Sequence, residues 1–317
     1  MADALATSFT CTNYSGLLYT KSNTKTPFLN SIGERRISPS VEFVIDQTYA
    51  LGTASQPAIS EAASATAPDA TTVTRTQQTN VCQIFHETVG STYAHESNMG
   101  TLGGANIAGQ TPNPVSELDW QIAQRMKKIA QDIEYTCLNG AYNKATSDAT
   151  INKTRGIIAA CTSNVLENVS QATHTPRDVS TALLKDLCKS VFNNGGEVNG
   201  CIMTMNADMR VKISNLYENK TGYIMPASRT VFGIAADTLV TEFGTVYLIT
   251  NTLMPAGKIL LYNPSVIRPV EMIVPGKGNF FYEELSKTGA ATKGQIFGQF
   301  GLDYGPEWFH GVLADLN

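Results

Sequence analysis

The chain is short of charge. Asp, Glu, Lys and Arg make up 16% of its 317 residues, against about 25% in an ordinary soluble domain. The apolar fraction, 42%, does not take up the difference; Ser, Thr, Asn, Gln and Gly do. A surface of this kind is cheap to desolvate, and it suits burial against other protein better than life as a dispersed monomer. Excess positive charge is absent too. The net charge of −4 excludes a global basic field that would gather nucleic acid or anionic lipid. No apolar run approaches the roughly 20 residues that a membrane-spanning helix needs. The opening "MADALATSFTCTNYSGLL" places an acid where a signal peptide has positive charge, and Thr and Asn break its apolar part. A protein that stays in the cytoplasm where it is made is expected.

Clustered metal ligands and catalytic signatures are missing as well. The six cysteines, Cys11, Cys82, Cys137, Cys161, Cys188 and Cys201, form no C-x-x-C pair, so free buried thiols are expected instead of a zinc site. His86-Glu87 and His95-Glu96 lack the second histidine of a metalloprotease helix. No phosphate-loop or nucleophile-elbow motif occurs, and "GGANIAG" does not join a strand to a phosphate-facing helix. Asp132 and Glu134 stand two apart on one helix and do not face each other, so they read as solvated or interface charges. Trp308 and Phe309 read as core or interface anchors. The expectation is no enzyme, with no catalytic, cofactor-binding or metal residues and no cofactor.

What is present is organised. "YALGTASQPAISEAASATAPDATTVTRTQQTN", from Tyr49 to Asn80, is built mostly of Ala, Thr and Ser and carries only Glu61, Asp69 and Arg75 as charges. It lies between two strand-like runs, "SPSVEFVIDQTYAL" and "TNVCQIFHETVGSTY". That arrangement predicts an extended β-hairpin with an irregular far end, either disordered or held by a partner, because a loop of this length is unusual inside a compact domain. Residues before about 40 lack a period and read as an arm ordered only against something else.

The clearest element is "SELDWQIAQRMKKIAQDIEYTCLNG". Leu118, Ile122, Met126, Ile129, Ile133 and Cys137 make one apolar stripe. Ser116 with Asp119 resembles a capping box, and Asn139-Gly140 is a stop signal. A helix over 117–138 is predicted. Downstream, "TPRDVSTALLKDLCKSVFNNGG" predicts a helix capped by Thr175 with Pro176 at its first position and ended by Gly195-Gly196. "CIMTM" reads as a buried strand, and Asn206 as the cap of a further helix. "TLVTEFGTVYLIT" and "GKILLYN" read as strands joined around "MPAGK". "VIRPVEMIV", "GNFFYEELSKTG" and "KGQIFGQFGLDY" close the chain as strands. The mixture is α+β.

The order of elements, together with "NVCQIFHETV", "GIAADTLVTEFGTVYLITNTLMPAGKILLYNP" and "LSKTGAATKGQIFGQFGLDYGPEWFHGVL", resembles the major capsid proteins of tailed bacteriophages, of the Hong Kong ninety-seven (HK) type capsid fold. The likeness covers about 35–317. It implies an N-terminal arm (1–40), an extended loop that is a β-hairpin reaching over a neighbouring subunit (41–95), a peripheral domain with the spine helix (96–154 and 263–317), and an axial α/β domain (155–262). It implies a structural protein that self-assembles through pentamers and hexamers into an icosahedral head shell, forming virions in the host cytoplasm. The shell would enclose double-stranded DNA, contacted without sequence specificity and without a membrane. Portal, scaffolding and decoration proteins are possible partners. Glu61, Asp69 and Arg75 would lie at the subunit interface. An encapsulin-like nanocompartment shell is the alternative, and an unrecognised cytoplasmic hydrolase a weaker one.

Two features depart from that pattern. Many members begin with a long charged helical scaffolding segment, whereas Tyr14 to Phe43 already reads as arm and first strand. Scaffolding would come from another protein or not be needed, or the numbering begins after trimming. Some members also crosslink through a lysine on the extended loop, and this chain has none between Lys25 and Lys127.

Overall fold

The computed structural model describes residues 24–66, 72–94, 117–170, 173–218, 229–231 and 234–317. Ser116, His95-Glu96, Asp69, Cys11 and the "GGANIAG" run lie outside them.

The chain enters through helix α1 (Pro27–Ser31) and strand β1 (Arg36–Ile37). Phe28 is buried in the main core, and β1 pairs in parallel with residues 270–271. From Pro27 onward the expected arm is therefore an integral part of the subunit. Strands β2 (Glu42–Tyr49) and β3 (Arg75–Val81) pair antiparallel from Glu42↔Val81 to Tyr49↔Arg75. Between them lies one helical turn, α2 (Glu61–Ser64), whose Ser60 side chain accepts from the Ala63 N–H. β4 (Gln83–Thr92) follows at once. It had been expected as part of the hairpin, but it is a strand of the body. Phe85 and Val89 point into the core, and ten residues pair with a late strand, an anchorage the hairpin does not offer.

Helix α3 (Glu117–Asn139) matches the apolar stripe, and its C-terminal half does the packing. Ile129, Ile133, Cys137 and Leu138 are buried, Leu118 and Ile122 partly, whereas Met126 is exposed. The helix stops where backbone comes too close for any side chain. A Cβ on Gly140 would sit 2.4 Å from the Thr154 carbonyl and 2.5 Å from that of Thr136. After α4 (Ile157–Ala160), β5 (Val165–Leu166) and the small pair β6 (Val169–Ser170) and β7 (Thr173–His174) comes α5 (Thr181–Asn193). It starts later than expected. Ser180, not Thr175, caps it, and Arg177 is drawn into a parallel bridge with Leu316 that leaves Pro176 in extended chain. β8 (Ile202–Met205) is buried at all four positions. Asn206 caps α6 (Ala207–Glu218) through the Met209 N–H at 2.9 Å. β9 (Arg229–Val231), β10 (Ile234–Thr241) and β11 (Gly244–Thr250) form a meander, so "TLVTEFGTVYLIT" is a hairpin turning at Gly244 with φ +136°, not one strand.

β12 (Ile259–Tyr262), β13 (Arg268–Glu271), β14 (Phe281–Glu284), β15 (Ala291–Asp303), a 3-10 turn (Glu307–Phe309) and β16 (Gly311–Leu313) complete the chain. Two sheets result. In one, β15 has β4 along one side and β13 and β14 along the other, with β1 outside β13. The other runs β5-β16-β12-β8-β11-β10-β9. β16 thus joins the seven-stranded sheet, although sequence order had placed it with the long-helix layer. Its register with Ile259–Leu261 and the buried Val312 and Leu313 account for that. β8 also inserts between β11 and β12, which sequence order had made neighbours.

The seven-stranded sheet is covered on both faces, as its unbroken apolar strands require. Met203, Met205, Leu248 and Leu261 pack with Leu184, Leu187, Met209 and Ile213 of α5 and α6. Ile202, Ile249, Leu260 and Tyr262 pack with Ile133 and Cys137 of α3 and with Phe300 of β15. One core therefore runs from the long helix across both sheets.

Candidate assembly surface

The hairpin is the feature that the subunit's own core does not explain. Every residue from Ala50 to Thr66 is exposed. Tyr49 is 63%, Leu51 74%, Ile59 72% and Val73 56% exposed. Apolar side chains held clear of their own subunit favour contact with another surface. Glu61 sits in the first turn of α2, and Arg75 opposite Tyr49 in the last pair of the hairpin; neither makes an ion pair among the described residues. Asp69 lies outside those residues. The charges expected at an interface are thus seen only in part, on an arm built of small polar and exposed apolar groups.

The root of the hairpin is, by contrast, tightly bonded. Asn80 is fully buried. Its Nδ2 donates to the carbonyls of Leu302 (2.8 Å) and Arg155 (3.2 Å), and its Oδ1 accepts from the Val81 and Arg155 N–H groups, both at 2.9 Å. Thr154 Oγ1 donates to Val81 O at 2.7 Å. The Phe43 ring lies on Gly301, where a Cβ would come within 2.7 Å of it. A buried asparagine using both ends of its amide fixes direction as well as position. Phe43 reads in the sequence as an apolar position of the first strand, whereas Asn80 does not stand out. The available signal was a polar residue in the inward phase of a strand, just before Val81-Cys82.

Groups that could carry chemistry prove to be structural. Glu134, read as a surface charge, is fully buried. Its carboxylate accepts from the Phe28 and Leu29 N–H groups at 2.8 and 2.9 Å and from Asn251 Nδ2 at 2.6 Å. Burial raises its pKa, and these three bonds offset part of that. Its place three residues before Cys137, on the same helix face, was the missed signal. Burial alone would raise Glu307; bonds from Ser163 and from the Thr162 and Ser163 N–H groups outweigh it and bring its pKa down. His310 is buried between Tyr304 O (2.6 Å) and the Asn263 N–H (3.3 Å), and burial lowers its pKa to about 4. That geometry assigns the neutral ring with its proton on Nε2. His86 reaches only Gln295, at 3.2 Å on the surface. The Trp308 and Phe309 rings lie tilted beside each other at 46°, with centroids 6.4 Å apart.

Cys82, Cys137, Cys161, Cys188 and Cys201 are free and buried, and burial raises every one of their pKa values. None has the exposed, electropositive setting of a reactive thiol. Among the described residues no three His, Cys, Asp or Glu side chains converge as a metal site. Nor is any helix there long and apolar enough to cross a membrane. A depression of about 210 Å³ between Leu184, Lys185, Tyr217 and Glu242 carries the exposed Lys185–Glu242 ion pair, which occupies both charges.

The family model of the SU10 major capsid protein matches residues 2–317. No curated protein sequence matches. Among solved structures, the capsid of cyanophage A-1(L) superposes with TM-score 0.64 at 10% identity, over 96% of this chain and 97% of that one. The SrpI encapsulin of Synechococcus elongatus PCC 7942 gives 0.63 at 10% identity, over 96% and 92%. Mycobacterium phage Che8 gives 0.55 at 11% identity, over 95% of each chain. At such identities these likenesses speak for the fold.

Proposed function

The chain belongs to the SU10 major capsid protein family, and from that premise we propose how its parts serve a shell. It is a major capsid protein of a tailed phage, a structural component of the head of the virion, with the HK-type fold. Its copies assemble with one another into that shell. In our reading the hairpin is the extended loop that overlies a neighbouring subunit, the layer holding α3 and β15 is the peripheral domain, and the seven-stranded sheet with α5 and α6 is the axial domain around the centre of pentamers and hexamers. Glu61, Asp69 and Arg75 lie at the boundary between subunits. Double-stranded DNA fills the shell and meets it without sequence readout. Portal, scaffolding and decoration proteins are further partners, and the chain performs no catalysis.

One observation carries this reading: an arm bonded firmly at Asn80 yet exposed at every residue from 50 to 66 and from 72 to 75. Small, weakly charged side chains let its backbone approach another surface with little desolvation. Many identical contacts then add up, so no single one need be strong. The encapsulin likeness is one of fold, whereas the family match spans nearly the whole chain and speaks for the phage shell. Electron microscopy of the expressed full chain should show closed hollow particles. A protein that sediments only as monomer, alone and in infected-cell precursors, would refute it.

A further inference from the structure

The two strands of the hairpin root are held differently. On β3, Asn80 ties the chain to Leu302 and Arg155 through three bonds. On β2 the pairing register slips between Val44 and Asp46. A bulge bends a strand and loosens its ladder. Arg36 braces this side, its Nη1 donating to Val44 O and to Asp303 Oδ2, both at 2.9 Å. Asp46 is left out: its Oδ1 is buried and has no hydrogen-bond partner.

The charges around Asp46 are mostly of its own sign. Asp303 at the end of β15 and Glu307 of the 3-10 turn both act on it. Tyr304 stands beside them, its hydroxyl bonded to Arg155 at 3.3 Å and Gln78 at 3.4 Å. Of the cations nearby, Arg36 is bonded to Asp303, Arg155 reaches Tyr304, and Arg268 acts on Asp303. Further along β2, Glu42 is paired with Lys144. A buried carboxylate oxygen without a donor is costly when charged and tolerable when neutral.

We propose that the hairpin root is an asymmetric hinge, pinned through Asn80 on β3 and set on β2 by whether the Asp46 carboxylate is protonated. Neutral Asp46 keeps β2 seated against the body. Ionised Asp46, repelled by Asp303 and Glu307, loosens β2 while β3 stays in place, and the hairpin pivots. Burial first, then Asp303 and Glu307, raises the Asp46 pKa, and burial likewise raises that of Asp303. The seated root therefore binds the proton more tightly than the loosened one. Its advantage is full at low pH and is lost as pH rises through the raised pKa. The hinge rests on the reading of the hairpin as an inter-subunit element only for its consequence, which is that pH would tune the angle at which the loop meets its neighbour.

Hydrogen exchange on the full-length chain tests this, with β2 (Glu42–Tyr49) compared against β3 (Arg75–Val81). Between about pH 4, near the ordinary aspartate value, and about pH 8, protection of β2 amides should fall roughly tenfold more than that of β3. Asp46→Asn should abolish this difference and keep β2 protected at the higher pH; Asp46→Ser serves if the first variant does not fold. Asn80→Ala should expose β3 at both pH values. Equal loss on both strands, or an unchanged pH response in both Asp46 variants, would overturn the hinge. The measurement needs no shell, so its failure is separate from any failure of the assembly reading.

Discussion

Glu134 Oε1 accepts the backbone N–H of Phe28 at 2.8 Å, across 106 residues of sequence. α1 has no capping side chain of its own, so a carboxylate on the long helix takes over that task and ties the entering segment to the core. Glu134→Ala should leave two N–H groups and Asn251 without their acceptor and cost roughly 3 kcal/mol. Chemical denaturation should show that loss, and exchange at residues 27–31 should rise most. Because the Glu134 pKa is raised, the buried carboxyl group contributes most at low pH, where it is protonated, and that contribution is lost as pH rises through its folded pKa. The stability gap between native protein and Glu134→Ala should therefore narrow toward neutral pH.

His310 supplies a pH dependence of opposite sign. Its folded pKa of about 4 lies below the ordinary histidine value of 6.5. The unfolded chain then takes up the proton first, and stability falls as pH drops from 6.5 toward 4. The full effect is on the order of 3 kcal/mol. A ring-proton resonance of His310 that titrates near the ordinary histidine value would contradict the buried neutral ring.

The five described cysteines should be inert in the native protein. Burial pushes Cys82 and Cys201 up to about 12 and Cys188 to about 11, so thiolate is scarce at neutral pH. Ellman's reagent should reach these five only on denaturation. All six of the chain's thiols should then titrate without reductant; clearly fewer would mean a disulfide.

Shortening the hairpin separates folding from assembly. Replacing Ala54 to Ala67 with a Gly-Ser turn removes α2 but none of the buried core. The subunit should stay soluble and folded, while shell formation is abolished or weakened. Normal assembly by the shortened chain would refute the role given to the arm.

Mature shells should also come apart into single chains on denaturing gels. An amide crosslink from the hairpin needs an amine donor, and no lysine occurs between Lys25 and Lys127. A ladder surviving reductant and boiling would contradict shells held together by non-covalent overlap.

The sequence by itself determined the elements whose signal is local. The stripe from Leu118 to Cys137 marks the long helix because burial recurs at the helical period. Asn206 and Gly195 mark caps and stops because the end of a helix needs particular backbone chemistry. The composition of 50–66 marks an arm unable to build its own core, since small polar residues bury too little apolar surface to offset the entropy of ordering. Only the tertiary structure decided where those elements meet. It carried β4 away from the hairpin, set β8 between β11 and β12, and returned β16 to the far sheet. It also turned Glu134, Asn80 and Asp46 inward. Their identities are ordinary for a surface; Glu134 and Asn80 are used by partners far away in sequence, Phe28 and Leu302, while Asp46 meets the like charge of Asp303. Periodicity reports which side of an element is buried. It carries no record of which distant backbone group waits there, and that pairing sets both the seat of the entering segment and the hinge of the hairpin.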